Sequence, residues 1–163
     1  KHHYSVTNRW AGGFHAIAFD NENSYLMGQA NVLLKRWNKP ASQANMYLFT
    51  GFGGAVASDT DWLAHLGLQA DWETRKIYTQ INIDRYMKDQ SRTFLHYRLG
   101  FAPYEGDYDE FHTWLILQYN AQLEGPDVTG SLLPLIRVFK DNYLFEIGSD
   151  FDDQFLLTMM IHF

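Results

Sequence analysis

Residues 76–88 read KIYTQINIDRYMK, and this stretch decides the fold class because aliphatic and polar side chains alternate along it. One phase holds Ile77, Thr79, Ile81 and Ile83, and the other holds Tyr78, Gln80, Asn82, Asp84 and Tyr86. Successive side chains of a β-strand point to opposite faces, whereas a helix would mix the two sets around its circumference. The stretch therefore predicts a strand with one apolar and one polar face.

The same alternation recurs in about ten segments separated by turn-like clusters. They cover roughly 3–19, 25–37, 44–57, 61–73, 76–88, 91–103, 109–123, 129–139, 142–150 and 153–163. Gly12 and Gly13 interrupt the first segment, so eight or twelve strands are alternatives. Pro134 has no amide hydrogen and is expected at a bulge or a locally unpaired position. We predict an all-β, antiparallel, closed barrel of about ten strands.

Length and composition limit the other classes of protein. The 163 residues show no compositional break, which predicts a single domain over 1–163. The chain has no cysteine, and no apolar run is long enough for a transmembrane helix. A net charge of −6 with scattered Lys and Arg argues against nucleic acid as a partner.

The polar phase contains many large and charged side chains, and their number decides which face of the sheet points inward. We expect it to fill a narrow lumen as a hydrogen-bonded and ionic network, with the apolar phase facing lipid. The expected interior residues include Tyr78, Tyr86, Phe94, His96, Arg98, Trp114, Arg137 and Glu146. Aromatic residues near segment ends predict two interfacial girdles, with Trp37, Trp62, Trp72, Tyr86, Tyr104, Tyr108 and Tyr143 as members. The sequence thus favours a transmembrane barrel with a closed lumen over a soluble one.

The final ten residues alternate to the end of the sequence, with Phe155, Leu157, Met159, Ile161 and Phe163 in one phase. This pattern resembles the C-terminal strand of Gram-negative outer-membrane β-barrel proteins. The resemblance implies a bacterial outer-membrane location, contact with outer-membrane lipid and lipopolysaccharide, and recognition by the barrel-assembly machinery. It also implies that Phe163 closes the last strand at the periplasmic face. The expected role is structural, binding or accessory transport, alone or with an envelope complex partner.

A metal-binding barrel is one alternative function. His112 and His162 occupy polar-phase positions toward the periplasmic end, from which His2 and His3 are also expected to start. Imidazole nitrogens there would form a divalent metal site that prefers copper over zinc. Strand order separates the two segments, so the ligands would have to reach across the lumen. Otherwise the sequence predicts no cofactor.

A lipid-modifying or proteolytic outer-membrane enzyme is the other alternative. Such enzymes need a nucleophile or paired acids beside a histidine. Asp152 and Asp153 supply acids, but no histidine falls in the nearby connections. The sequence therefore favours a protein without catalytic activity.

Overall fold

A computed structural model describes residues 2–5, 9–18, 24–57, 61–88, 91–105, 110–124, 127–150 and 155–161. These described ranges form eleven strands: β1 (His2–Ser5), β2 (Trp10–Ala18), β3 (Ser24–Lys39), β4 (Ser42–Ala55), β5 (Trp62–Glu73), β6 (Ile77–Met87), β7 (Arg92–Phe101), β8 (His112–Glu124), β9 (Asp127–Lys140), β10 (Tyr143–Ser149) and β11 (Phe155–Ile161). Within these ranges, no helix is long and apolar enough to cross a bilayer.

All strands form one antiparallel sheet in which each strand pairs with its neighbours in the chain. No ladder joins β1 to β11 within the described ranges, so the sheet is open there and the predicted closure is not shown. One edge, the Pro40 rim, contains the turns at 40–41, 74–76 and 141–142. The opposite edge, the Asp61 rim, contains the ends of β4, β6 and β8.

The first segment departs from the prediction, while the other nine predicted segments each correspond to one strand. A single strand over 3–19 is wrong, because β1 and β2 form a hairpin there, which raises the count to eleven. Gly12 and Gly13 mark no break and lie inside β2, opposite Tyr4 and His3. His2 lies opposite Phe14, halfway along β2, so β1 starts in the middle of the sheet and not at a rim.

Pro134 occupies the locally unpaired position that its missing amide hydrogen requires. It lies opposite Leu117 of β8, but the ladder between β9 and β10 ends at Leu135 and Gly148, one residue away. The proline therefore interrupts no hydrogen bond to β10.

The two faces of the sheet have opposite character, and the predicted phases are confirmed. In β5, Trp62, Leu66 and Trp72 are exposed, whereas Leu63 and His65 are buried. The buried side is the concave one, since Arg98 of β7 reaches Glu146 of β10 across two intervening strands. We call this side the interior face and the other the apolar face.

Candidate functional site

The interior face buries an unusual number of polar groups. They are His15, Gln29, Asn45, His65, Asp84, Gln118 and Glu146. Buried polar atoms are costly unless they are hydrogen-bonded, so the contacts among them determine what this face can do.

An ionic network lies in the half of the interior face nearer the Pro40 rim. Arg137 Nε donates to Glu146 Oε1 at 2.6 Å, and Arg98 Nη1 donates to the same oxygen at 3.3 Å. Arg98 Nε also donates to Gln118 Oε1 at 2.6 Å. Glu146 is only 3% exposed, so two guanidinium groups compensate one buried carboxylate. The ionic network predicted from sequence is confirmed for these residues.

Aromatic rings fill the space beside this network. The guanidinium of Arg137 lies 4.6 Å from the centroid of the Tyr78 ring, in a cation–π contact. Trp114 meets the same ring edge-on, with the centroids 6.2 Å apart. Side chains, and not open space, therefore occupy this part of the interior face.

A histidine–carboxylate couple forms the centre of the other half. His65 Nε2 and Asp84 Oδ1 are 2.6 Å apart, and Asn82 Nδ2 donates to the other Asp84 oxygen at 2.5 Å. The Tyr86 ring stacks on His65 with centroids 4.6 Å apart. His15 approaches the His65 ring edge-on at 6.5 Å. The couple is thus enclosed by ring faces.

The position of Gly67 explains how the couple fits. Gly67 pairs directly with Asp84 and lies two residues after His65, on the same face. A Cβ at Gly67 would lie 2.5 Å from Asp84 Oδ1 and 3.1 Å from His65 Nε2. The missing side chain therefore provides the space in which the two side chains meet.

Smaller polar clusters lie near the rims. Arg36 Nε donates to Asn45 Oδ1 at 2.6 Å, and Asn45 Nδ2 donates to Asp71 Oδ1 at 2.7 Å. At the Asp61 rim, Tyr25 donates to Asp61 at 2.9 Å, and Lys88 Nζ lies 3.4 Å from the same oxygen. Hydrogen bonding to Tyr25, together with the Asp61 carboxylate, raises the pKa of Lys88 above its ordinary value. The first cluster joins β3, β4 and β5, and the second joins the start of β3 to residues beside the start of β5 and the end of β6.

The histidines predicted to bind metal are only partly located. His112 lies at the Pro40 rim opposite Phe139, and His162 lies outside the described residues. Ile161, the last described residue, lies opposite Tyr143, so β9 and β10 separate Ile161 from His112. The described ranges contain no group of three or more His, Cys, Asp or Glu arranged to hold a metal ion. The pair His112 and His162 stays a prediction.

Five of the seven aromatic residues predicted for the two girdles lie at exposed positions. Trp37, Trp62, Trp72, Tyr104 and Tyr143 are exposed near strand ends, and Phe52 stacks on Trp62 at 6.3 Å. Tyr86 was wrongly assigned to a girdle: it is 6% exposed and points inward onto His65. Tyr108 lies outside the described residues.

Sequence reasoning placed His65 and Asp84 in the polar phase but did not pair them. Only the β5–β6 register, which places Gly67 opposite Asp84, brings the two side chains together. In the described part of the chain, no Ser or Thr hydroxyl bonds to His65. Asp152 and Asp153, the acids considered for catalysis, are outside it.

The comparisons with known proteins add no family. No family model, no curated protein and no solved structure matches this chain.

Proposed function

We propose that this chain is a small outer-membrane β-barrel of a Gram-negative bacterium, with a filled interior and a structural, binding or accessory transport role in the envelope. The observation that carries the proposal is the inversion of the two faces, with the apolar face exposed and the charged face buried. Exposed apolar surface costs about 25 cal/mol per Å² in water, whereas hydrocarbon imposes no such cost. Lipid and lipopolysaccharide are the expected surroundings.

The spacing of Trp62 and Trp72 supports this proposal. Both side chains are exposed, at the Asp61 and Pro40 ends of β5 respectively. Ten residues of strand span about 33 Å, or about 25 Å along the membrane normal at a tilt of about 40°. This matches the height of about 25 Å of the apolar band between the aromatic girdles of such barrels.

Strand direction determines how the barrel would close. β11 runs toward the Pro40 rim, as β1 does, whereas β2 runs away from it. An antiparallel seam would therefore join β11 to β2 and give ten strands, with β1 displaced from the β2 edge. The C-terminal strand would then complete the wall after recognition by the barrel-assembly machinery.

The test compares lipid contact on the two faces. The first variant has its native tryptophans replaced and carries Leu68→Trp, which places one tryptophan on the apolar face in the middle of β5. In liposomes, we expect its fluorescence to be quenched strongly by lipids brominated in their acyl chains. A variant that retains only Trp114, on the interior face near the Pro40 rim, is the control, and it should be quenched less than a variant that retains only Trp72, on the apolar face near the same rim. Equal quenching, or failure to enter bilayers, would overturn the proposal.

A further inference from the structure

The geometry points to a buried site for monovalent copper, formed by His65, His15 and Met27 and oriented by Asp84. His15 lies on β2, Met27 on β3 and His65 on β5, with β4 between the last two strands. All three face the interior, in the half away from the Arg98–Glu146 network. The inference goes beyond the proposed function and does not depend on where the protein resides. It is also distinct from the pair His112 and His162.

The bonding of His65 leaves one ring nitrogen available. Its Nε2 faces Asp84 Oδ1 at 2.6 Å, which assigns the ring proton to Nε2 because an ionised carboxylate can only accept. In the neutral ring, Nδ1 then carries the lone pair, and this atom is buried with no hydrogen-bond partner among the described residues. Metal-binding histidines almost always donate their second ring N–H to a carboxylate, carbonyl or water. His65 has that arrangement.

The surroundings of Asp84 are those of a supporting carboxylate. Its second oxygen accepts from Asn82 at 2.5 Å, and Gly67 leaves the space for the first to reach His65. Because both oxygens are engaged, Asp84 acts as a positioning residue that orients the imidazole. The ligands themselves must therefore come from His65 and its other neighbours.

Met27 supplies a thioether sulfur on one side of Gly51, and His65 lies on the other side. The Met27 Sδ lies 2.9 Å, and the His65 Cβ 3.4 Å, from the point where a Cβ on Gly51 would lie. Met27 is 1% exposed, so its sulfur is held in the interior and not at the surface. A glycine at position 51 thus permits a thioether and an imidazole to approach each other.

His15 completes the set from β2. It pairs directly with Met27 across the β2–β3 ladder and is 6% exposed. Its ring centroid is 6.5 Å from that of His65. Two imidazoles bound on opposite sides of one ion, with metal–nitrogen distances of about 2.0 Å, have centroids roughly 6 Å apart. Small side-chain adjustments would bring both nitrogens to one ion.

The chemistry of these ligands favours monovalent copper over zinc. Thioether sulfur is a soft ligand that selects Cu(I), and imidazole also binds copper. Zinc usually takes four ligands from Cys, His and carboxylates, and the described ranges contain no such group of three or more. Tyr86 stacks on His65 and helps to enclose the site.

The test is an anaerobic titration of the purified full chain with Cu(I), in competition with the chromophoric chelator bathocuproine disulfonate. We expect one copper per chain. Met27→Leu, which conserves volume, and His15→Gln should each lose this binding. Asp84→Asn should weaken it about 10- to 100-fold. His96→Gln is the control, because His96 is an interior histidine on β7 that bonds to Asn120 at 2.8 Å and supplies no ligand to the proposed site, so copper binding should be unchanged.

A second measurement does not depend on any variant folding. X-ray absorption of the copper-loaded wild-type chain should show one sulfur together with nitrogen ligands. A copper shell without sulfur, no stoichiometric Cu(I) binding, or equal affinity in folded Met27→Leu would overturn the inference. Failure of this test leaves the lipid-contact test unaffected, so the two proposals are separable.

Discussion

Gly67 lies directly opposite Asp84 in the β5–β6 ladder, and a Cβ on Gly67 would lie 2.5 Å from the oxygen that bonds to His65. Gly67→Ala should therefore separate the couple or shift the strands. Overpacking of this kind typically costs about 1–3 kcal/mol. We expect a loss of that size in the free energy of unfolding in urea.

Gly28→Ala is the matched control for Gly67→Ala. Gly28 lies on the apolar face of β3, and the nearest atom to its added Cβ would be the Phe52 carbonyl oxygen at 4.0 Å. That variant should unfold at nearly the wild-type urea concentration. Equal destabilisation of both variants would show that strand glycines matter here for reasons other than the couple.

Glu146→Gln should be among the most damaging single changes in the interior. It removes the charge that compensates Arg98 and Arg137, and breaking a buried ion pair costs about 3–5 kcal/mol. Glu124→Gln provides the comparison, because Glu124 pairs with Arg92 at 3.0 Å but its side chain is 43% exposed. Exposed pairs contribute about 0–1 kcal/mol. Unfolding midpoints that do not separate these variants would contradict the assigned roles.

The filled interior predicts that the protein does not conduct ions at the level of a porin. Arg98, Arg137, Tyr78 and Trp114 occupy the half of the interior face near the Pro40 rim. Planar-bilayer recordings of the purified protein should show no stable open channel. A steady conductance of porin size would mean that the closed barrel is wider than ten strands allow.

The two ends of the chain should differ in their importance for assembly. If β11 closes onto β2, removing residues 1–8 should leave membrane assembly intact, because β1 occupies the edge that the seam needs. Deleting Phe163 should impair assembly without reducing synthesis. Protease protection of the membrane-inserted chain measures both. Normal assembly without Phe163, or lost assembly without β1, would count against the proposed seam.

Nine of the eleven strands follow from the two-residue period, because one continuous apolar face forces the alternation wherever a strand lies. The first hairpin was not predicted, since residues 6–9 read VTNR and contain neither Gly nor Pro to indicate a turn. Inward residues such as Arg98 and Glu146 were predictable from phase. Their partners were not, because contacts depend on register and curvature, which the period does not encode.

The same limit applies to His65. Its phase could be read from the sequence, but its proximity to Asp84, 19 residues away, depends on the register of the β5–β6 hairpin. The proximity of Met27 depends further on Gly51 in the strand between them. The sequence pattern predicts which face a residue occupies, whereas the register of the strand pairs determines which side chains it contacts.

The strictly sequential strand order has a consequence for folding. Within the described ranges, each strand pairs only with strands adjacent in the chain, so most pairings close short loops. Loop-closure entropy is small for short loops, and chains rich in local contacts fold quickly. The sheet can therefore extend one hairpin at a time from any starting hairpin. A seam between β2 and β11 is the exception: it joins strands from opposite ends of the chain, so it is the slow step at which a catalyst of assembly has most to contribute.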